Sequence, residues 1–495
     1  MTACDDGRRR VYRISDKGES WMEALGTLSR VWGNKQGESG VRSGFTTATI
    51  GGGDGNNRKV MLVTLPVYSS KNGKEDNVNG RLHLWLTDNT HIVDIGPVSS
   101  DEENVTASSL LYNSGTNNEE LIALYEKKKS GGESSHSLWS VLLTEQLQRV
   151  KDVLATWKKA DDIVSKLCLS SIAAVSAPTT NVCSAGKVTA GLVGFLSGNF
   201  SGNTWRDEYL GVNATVNNND GAKETSARAT GLPYGVKFTG LGAGAEWPVG
   251  KQGENQLYHF ANYNFTLVAT VSIHNVPKSG SVPLMGAVMN GTENTVLLGL
   301  SYSSEKKWNL LCGDKNAEQS SNTWEAETTY QVAIVLQNGT QGTAYVDGKR
   351  VGEQCAVGNI EDKRISHFYI GGDGGSAGSE KDVSVTVKNV LLYNRQLDET
   401  EIKALNANKV SIPKLKKRKT EVGDASSAKV SAPATQGTVS SSIPPQDRDV
   451  NAAALSSSLG NVSHGKNSDA TTVRESGLLP SLLLLLLGLW GFAAL

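Results

Sequence analysis

An all-β chain interrupted by one long helix is what the sequence predicts, and three observations carry it. Short alternating apolar stretches separated by polar, Gly- and Asn-rich turns recur over residues 1–135, and the apolar period then changes to three and four over 144–168. Strand patterns return from about 186 to 400. A chain of 495 residues exceeds one ordinary core, so two β domains joined by the helix, with extra segments, is the expected organisation.

Residues 1–135 supply the strands "RRVYRI", "KVMLVTLPV", "RLHLWLTD", "SSLLYN" and "ELIALYEKK". In "RLHLWLT", Leu82, Leu84 and Leu86 alternate with His83, Trp85 and Thr87, the period of a half-buried strand. Repeated short antiparallel strands suit a sandwich or a propeller. Residues 136–185 hold the linking helix and a connector: Leu147, Val150, Leu154, Trp157 and Val164 form one apolar stripe behind Thr144 as N-cap, so the helix reads as a strut packed on both neighbours.

The strands of 186–400 include "GLVGFLSG", "FTLVATVSIH", "YQVAIVLQ" and "VSVTVKNVLLYNR", and their number and length suit a lectin-like jelly-roll sandwich of the laminin-G or concanavalin-like kind. "YVDGKRV" is a hairpin with Asp-Gly at its turn. Residues 401–476 hold the basic run "KLKKRK" at 414–419 and continue as a disordered Ser-, Ala- and Thr-rich stalk whose few apolar residues cannot offset ordering entropy. Residues 477–495 are almost wholly apolar with nothing charged after them, which reads as a GPI-attachment signal rather than a spanning helix. Asn467, Ser468 and Asp469 are its candidate anchor residues.

Such a signal is read in the endoplasmic reticulum, yet "MTACDDGRRRVY" has no apolar export segment. The expectation is that Met1 is an internal methionine with the signal upstream. The sequons at Asn104, Asn199, Asn213, Asn264, Asn290, Asn338 and Asn461 fit the same compartment. Five cysteines offer Cys168 with Cys183 as a disulfide closing the connector and Cys312 with Cys355 as a second candidate pair, leaving Cys4 over. No spacing resembles a metal site, and no cofactor is expected. Lys+Arg 49 against Asp+Glu 50 gives a net charge of −1, which argues against a nucleic-acid partner.

Two motifs carry a resemblance. "SDKGESW" matches the Asp box of sialidase propellers at Asp16, Gly18, Ser20 and Trp21, with Ile14 where the box has Ser. "VTVKNVLLYNR" resembles the signature of the trypanosomal trans-sialidase superfamily at Val385, Thr386, Val387, Asn389, Val390, Leu392, Tyr393, Asn394 and Arg395, and agreement extends through "RLHLWLTDN" and "QLYHFANYNFTLVA". The resemblance implies the C-terminal part of a six-bladed sialidase β-propeller, then the helix, then the jelly roll.

It also implies a Tyr nucleophile, a carboxylate partner and three Arg that clamp the substrate carboxylate. Aligned on "RLHLWLTDN" and "SSLLY", Ala107 stands at the nucleophile position, Ala3 and Asn79 at two clamp positions, and Asn77 at a substrate-site Trp. The remaining catalytic residues would lie before Met1. Tyr112 reads as a strand residue, and Arg8, Arg9 and Arg10 as a solvated strand edge.

The resemblance therefore implies a catalytically inactive, GPI-anchored surface glycoprotein that adheres to host-cell or extracellular-matrix glycoproteins. The signature, linked within the family to host-cell binding, differs from some members at Leu391, and its other reading is a core strand that completes the sandwich. Sialidase or trans-sialidase activity, or a sialic-acid or galactose lectin, are the alternatives.

Overall fold

The computed structural model describes residues 8–14, 19–26, 28–33, 43–51, 57–68, 80–100, 103–115, 119–128, 136–169, 185–217, 228–240, 242–249, 255–291, 295–313, 315–357, 364–373 and 383–406. All of them belong to one compact unit. The Cys168–Cys183 pairing, Ala3, Asp16, Gly18, Asn77, Asn79, Asn461 and the anchor candidates lie outside the described residues.

The N-terminal part is three antiparallel sheets. β1 (Tyr12–Ile14) and β2 (Trp21–Glu23) form a hairpin, β3 (Gly44–Gly51), β4 (Asn57–Tyr68), β5 (Gly80–Thr87) and β6 (Ile92–Pro97) a four-stranded meander. β7 (Val105–Ser114), β8 (Glu119–Lys128) and β9 (His136–Leu142) form a three-stranded one.

The alternation expected of "RLHLWLT" holds only in its first half. Leu82, Leu84 and Leu86 are buried, but Trp85 and Thr87 on the opposite face are buried too. Trp85 meets Trp32 edge to face at 6.1 Å and joins the core of the C-terminal part, while Leu84 and Leu86 join a second core around the helix. A strand caught between two cores loses its polar face.

That helix, α1 (Thr144–Leu169), has its first internal hydrogen bond accepted by the Leu143 carbonyl, so Thr144 stands one position inside the cap assigned to it. The stripe of Leu147, Val150, Leu154, Trp157 and Val164, with Val153 and Ala160, is buried as a strut should be. It meets Ile50, Leu62 and Leu84 of the meander in one cluster with Val268, Val335 and Leu391 of the C-terminal sheet.

After the short α2 (Ala185–Val188) come β10 (Leu192–Ser201), β11 (Thr204–Asp207), β12 (Ala214–Val216), β13 (Arg228–Leu232), β14 (Gly235–Thr239) and β15 (Ala245–Pro248). Then follow β16 (Phe265–Ile273), β17 (Ser281–Met289), β18 (Val296–Ser303), β19 (Lys307–Cys312), β20 (Lys315–Thr323), β21 (Thr329–Gln337) and β22 (Gln341–Val346). β23 (Lys349–Ala356), β24 (Ile365–Ile370), β25 (Ser384–Tyr393) and α3 (Glu399–Asn406) complete the described chain.

The strands run β20-β19-β18-β17-β24-β15-β12-β11-β10-β25-β16-β21-β22-β23, with β13 and β14 added beside β25. Folded over a core that includes Trp205, Trp247, Trp308 and Trp324, this is the expected jelly roll. The Cys312–Cys355 disulfide ties β19 to β23, near opposite ends of that order. The turn between β22 and β23 places Asp347 at φ 50° and Gly348 at φ 71°, the mirror-image geometry the Asp-Gly pair predicts.

Where meander, helix and sandwich meet, the His91 ring stacks on Tyr209 at 4.2 Å and lies 4.9 Å from Trp157. Trp157 Nε1 donates to the Tyr209 carbonyl at 2.8 Å, and the Arg58 guanidinium lies 5.3 Å from the Trp157 ring while bonding Asp88 at 2.8 Å. Behind them Asp207 is fully buried and accepts the backbone N–H groups of Phe195, Tyr209 and Gly211. Burial pushes its carboxyl up to about 6 against those bonds. Burial, then the guanidinium groups of Arg30, Arg8 and Arg364, brings His259 down to about 4.

Three outcomes follow from these contacts. Trp157→Ala should cost about 3–5 kcal/mol in urea unfolding, because it removes the largest side chain in the stripe and its hydrogen bond. The disulfide closes a separation of 43 residues, so Cys312→Ala with Cys355→Ala should lower stability by about 4 kcal/mol on the chain-entropy account.

The third concerns pH. Asp207 binds its proton more tightly folded than unfolded, so acidifying from pH 6 to 4 adds about 2 kcal/mol from that group. His259 binds its proton less tightly when folded, and the same window costs about as much. Glu208, pushed up by burial, and His367, pushed down by it, add one group to each side. These four nearly cancel, but the carboxyls of Glu23, Glu103, Glu119 and Glu401, held below their ordinary range in the fold by basic partners, lose stability on acidification, so the curve should be nearly flat from pH 7 to about 5 and decline below it. Relative to the wild type, Asp207→Asn should steepen the loss on acidification and His259→Gln should lessen it, read from urea midpoints across the range.

Candidate functional site

Residues 105–114, "VTASSLLYNS", form β7 because β-branched and apolar residues recur along a run bounded by polar turns. A register shift between Val105 and Ala107 sets Ala107 opposite Glu126 of β8. From there side chains alternate: Ala107, Ser109 and Leu111 share one face, Ser108, Leu110 and Tyr112 the other. Continuing across the sheet, Leu111 lies beside Ile122 and Ile122 beside Leu142, while Glu126 lies beside Leu138. Leu111, Leu138 and Leu142 are exposed, and Ser109, Ser140, Asn113 and the carboxylates of Glu120 and Glu126 share the face, so it presents methyl groups, hydroxyls and carboxylates, and a methyl at 107 where the resemblance puts a nucleophilic phenol.

The opposite face is engaged in packing. Ser108 Oγ lies 2.9 Å from Thr64 Oγ1 and accepts the Gly44 N–H at 3.2 Å, joining β7 to the meander. The Tyr112 hydroxyl donates to Glu119 Oε1 at 2.9 Å, and Glu119 pairs with Lys151 of α1. The Lys151 bond holds the Glu119 carboxyl below its ordinary range. Burial, then the hydrogen bond and charge of Glu119, pushes the Tyr112 phenol up to about 12. Tyr112 thus stays protonated at neutral pH and braces the helix, facing away from Ala107.

The arginine run departs from its expectation as a solvated edge. Arg9 is 5% exposed and donates to Ser43 Oγ at 2.6 Å, and Arg8 Nη1 reaches the carbonyls of Arg30 and Val31 at 3.5 and 3.4 Å. Arg30 forks onto Glu23 at 2.8 and 3.0 Å. Guanidinium groups with several donors satisfy the irregular backbone around residues 29–33, which a regular strand edge would not require. Of the Asp-box residues, Ser20 and Trp21 are described: Trp21 pairs with Ile14 across the hairpin and is exposed.

The "VTVKNVLLYNR" segment lies at the centre of the sandwich. β25 bonds β16 along one edge, while its other edge serves β14 through Lys388 and β10 from Val390 onward. Asn389, at φ 48°, is the bulge at which the partner changes. Val385, Val387, Val390 and Leu392 fill the sandwich core, and Leu391 and Tyr393 face the helix core. The Tyr393 hydroxyl donates to the Val188 carbonyl at 2.9 Å, and Asn394 N–H to the Gly191 carbonyl at 2.8 Å. Arg395 forks onto Glu401 at 2.9 and 2.8 Å and donates from Nε to the Ala190 carbonyl, fixing α3.

Sequence reasoning missed this Arg395–Glu401 staple and the buried Lys388. The signal for Lys388 was present in "SVTVK", where Val alternates with Ser, Thr and Lys. Among the sequons, Asn199, Asn213, Asn290 and Asn338 are exposed, and Asn104 and Asn264 half-buried. No cluster of three or more His, Cys, Asp or Glu fit to hold a metal occurs among the described residues.

Residues 188–400 match the family model described as trans-sialidase, C-terminal domain, residues 1–126 a BNR repeat-like domain, and residues 470–495 the trans-sialidase of Trypanosoma hydrophobic C-terminal. A sialidase of Trypanosoma cruzi is 36% identical over 418 residues, covering 82% of this chain and 32% of the relative. Sialidase 85-1.3 of the same organism is 37% identical over 188 residues, covering 38% of this chain and the whole relative.

Trypanosoma rangeli sialidase, solved with 2,3-difluorosialic acid as a covalent intermediate, superposes with a TM-score of 0.66 at 40% identity, covering 81% of this chain and 59% of that one. The chain thus spans about a third of the first relative and about three fifths of the solved one. With the C-terminal domain model matched across the sandwich, and a relative matched along its entire length, the chain belongs to the trans-sialidase/sialidase family of Trypanosoma.

Proposed function

We propose that this chain is a non-catalytic cell-surface glycoprotein of the family that adheres to host-cell or extracellular-matrix glycoproteins. The reading places it in the outer leaflet through a GPI lipid at Asn467, Ser468 or Asp469, and calls for no cofactor, metal or nucleic acid. The hydrophobic C-terminal match and the four exposed sequons support surface display.

Ala107 is the observation that carries it. A sialoside bears a carboxylate on the carbon under attack, so a neutral phenol primed by a carboxylate suits the reaction where an anionic nucleophile would be repelled. A methyl group offers no lone pair. Tyr112, the next phenol along β7, faces the other way, is held by Glu119 and resists ionisation. With Ala3 and Asn79 aligned to clamp positions, paired charge-assisted bonds to the substrate carboxylate would be missing too.

The test is turnover of a fluorogenic sialoside by the full chain, with Trypanosoma rangeli sialidase as positive control. Release should stay at the buffer rate, and Ala107→Tyr should leave it there, because a phenol without its clamp does not hold the substrate. Wild-type release above buffer would sink the non-catalytic reading. Saturable binding of the chain to host cells or matrix-coated surfaces is the matching positive outcome.

A further inference from the structure

Strand β9 lies at one side of its three-stranded sheet and, among the described residues, bonds β8 alone. The Leu143 N–H donates to the Leu121 carbonyl, which fixes the alternation along the strand. Ser137, Trp139 and Val141 turn their backbone groups towards β8, while Leu138, Ser140 and Leu142 turn theirs away from it. A row of outward N–H and C=O groups is a template for another strand, and edges that stay single are guarded by a Lys, a Pro or a bulge. "HSLWSVL" has none of these guards, and its register with β8 is unbroken.

The side chains add to the open backbone. Leu138 and Leu142 are 60% and 55% exposed on the face they share with Ala107 and Leu111, and Trp139 on the other face is 40% exposed. Apolar groups gathered in water at a bare edge mark an interaction surface.

The strand's own symmetry identifies the partner. Leu138 and Leu142 lie two residues on either side of Ser140, so antiparallel pairing of β9 with another β9 about a two-fold axis at Ser140 sets each leucine opposite the other. In that register only residues with outward backbone groups exchange hydrogen bonds: Leu138 with the partner's Leu142, Ser140 with the partner's Ser140, Leu142 with the partner's Leu138. On the other face Trp139 falls opposite the partner's Val141, an aromatic and β-branched pair of the kind that stabilises sheets. One patch thus complements itself, as a two-fold interface requires.

We propose that β9 is a dimerisation strand, to which a second copy of this chain adds its own β9 antiparallel about Ser140, doubling the sheet. The proposal goes beyond the adhesion reading and does not depend on it.

Cysteine cross-linking of the purified full chain tests it. Residues directly opposed in such a pair lie about 5.5 Å apart at Cα, within reach of a disulfide. Ser140→Cys should therefore give a dimer band on a non-reducing gel that the wild type lacks. Ser109→Cys, on the same face but two strands in from the edge, should give none, which separates pairing in register from association through the apolar tail. Adding Leu138→Lys and Leu142→Lys, at positions too exposed to disturb the fold, sets like charges opposite each other and should cut the Ser140→Cys dimer about tenfold. No dimer band beyond that of the wild type, equal bands from Ser109→Cys and Ser140→Cys, a yield unmoved by the lysines, or a cross-linked product other than two copies of this chain would each overturn the proposal.

Discussion

The apolar stripe of α1 is the constraint on which the other contacts depend. From Leu147 through Trp157 to Val164 it gives a meander and a jelly roll one shared interior, so that neither sheet faces water where they meet. Burying a large apolar side chain contributes about 1.5–3 kcal/mol, and the stripe buries several at once. The polar groups at its centre are aimed as well as buried: Trp157 Nε1 at the Tyr209 carbonyl, the Tyr209 hydroxyl at Asp161, and Arg58 between Asp88 and the Trp157 ring. Moving the helix would break bonds on both sides.

β7 explains how such a scaffold tolerates different chemistry. Chemistry-bearing positions and packing positions alternate along it: Ala107, Ser109 and Leu111 project from one face, while Ser108, Leu110 and Tyr112 secure the strand from the other. On the proposed reading, the change from phenol to methyl at residue 107 removes a reactive group without touching a bond that holds the sheet. Fold and function are separable there because they occupy opposite sides of one strand.

Features fixed by local chemistry were legible. The Asp-Gly turn, the α1 stripe and the succession of short strands follow from periodicity and from residues that accept positive φ. What depends on a distant partner was not. Trp85 and Thr87 looked solvent-facing because no local pattern announces that a second core arrives from the sandwich. Arg9 looked solvated because its acceptor, Ser43, is 34 residues away. For the site, the residue type at 107 could be read directly, whereas the direction in which Tyr112 faces required the register shift after Val105. The signature segment concealed its own geometry: its alternation marks a two-faced strand, but only the sheet order places it between β14 and β10 on one edge and β16 on the other.

That placement of β25 also bears on mechanical load. The chain leaves the sandwich through β25 and α3, and Arg395 pins that exit to Glu401 and to the Ala190 carbonyl. A pull transmitted along the C-terminal direction therefore acts along a strand bonded on both edges. Its ladder bonds, perpendicular to the strand, are then strained together in shear rather than opened one after another. A tether leaving from an edge strand such as β23 would unzip; one leaving from β25 must slide an entire central strand past its neighbours before the sandwich yields.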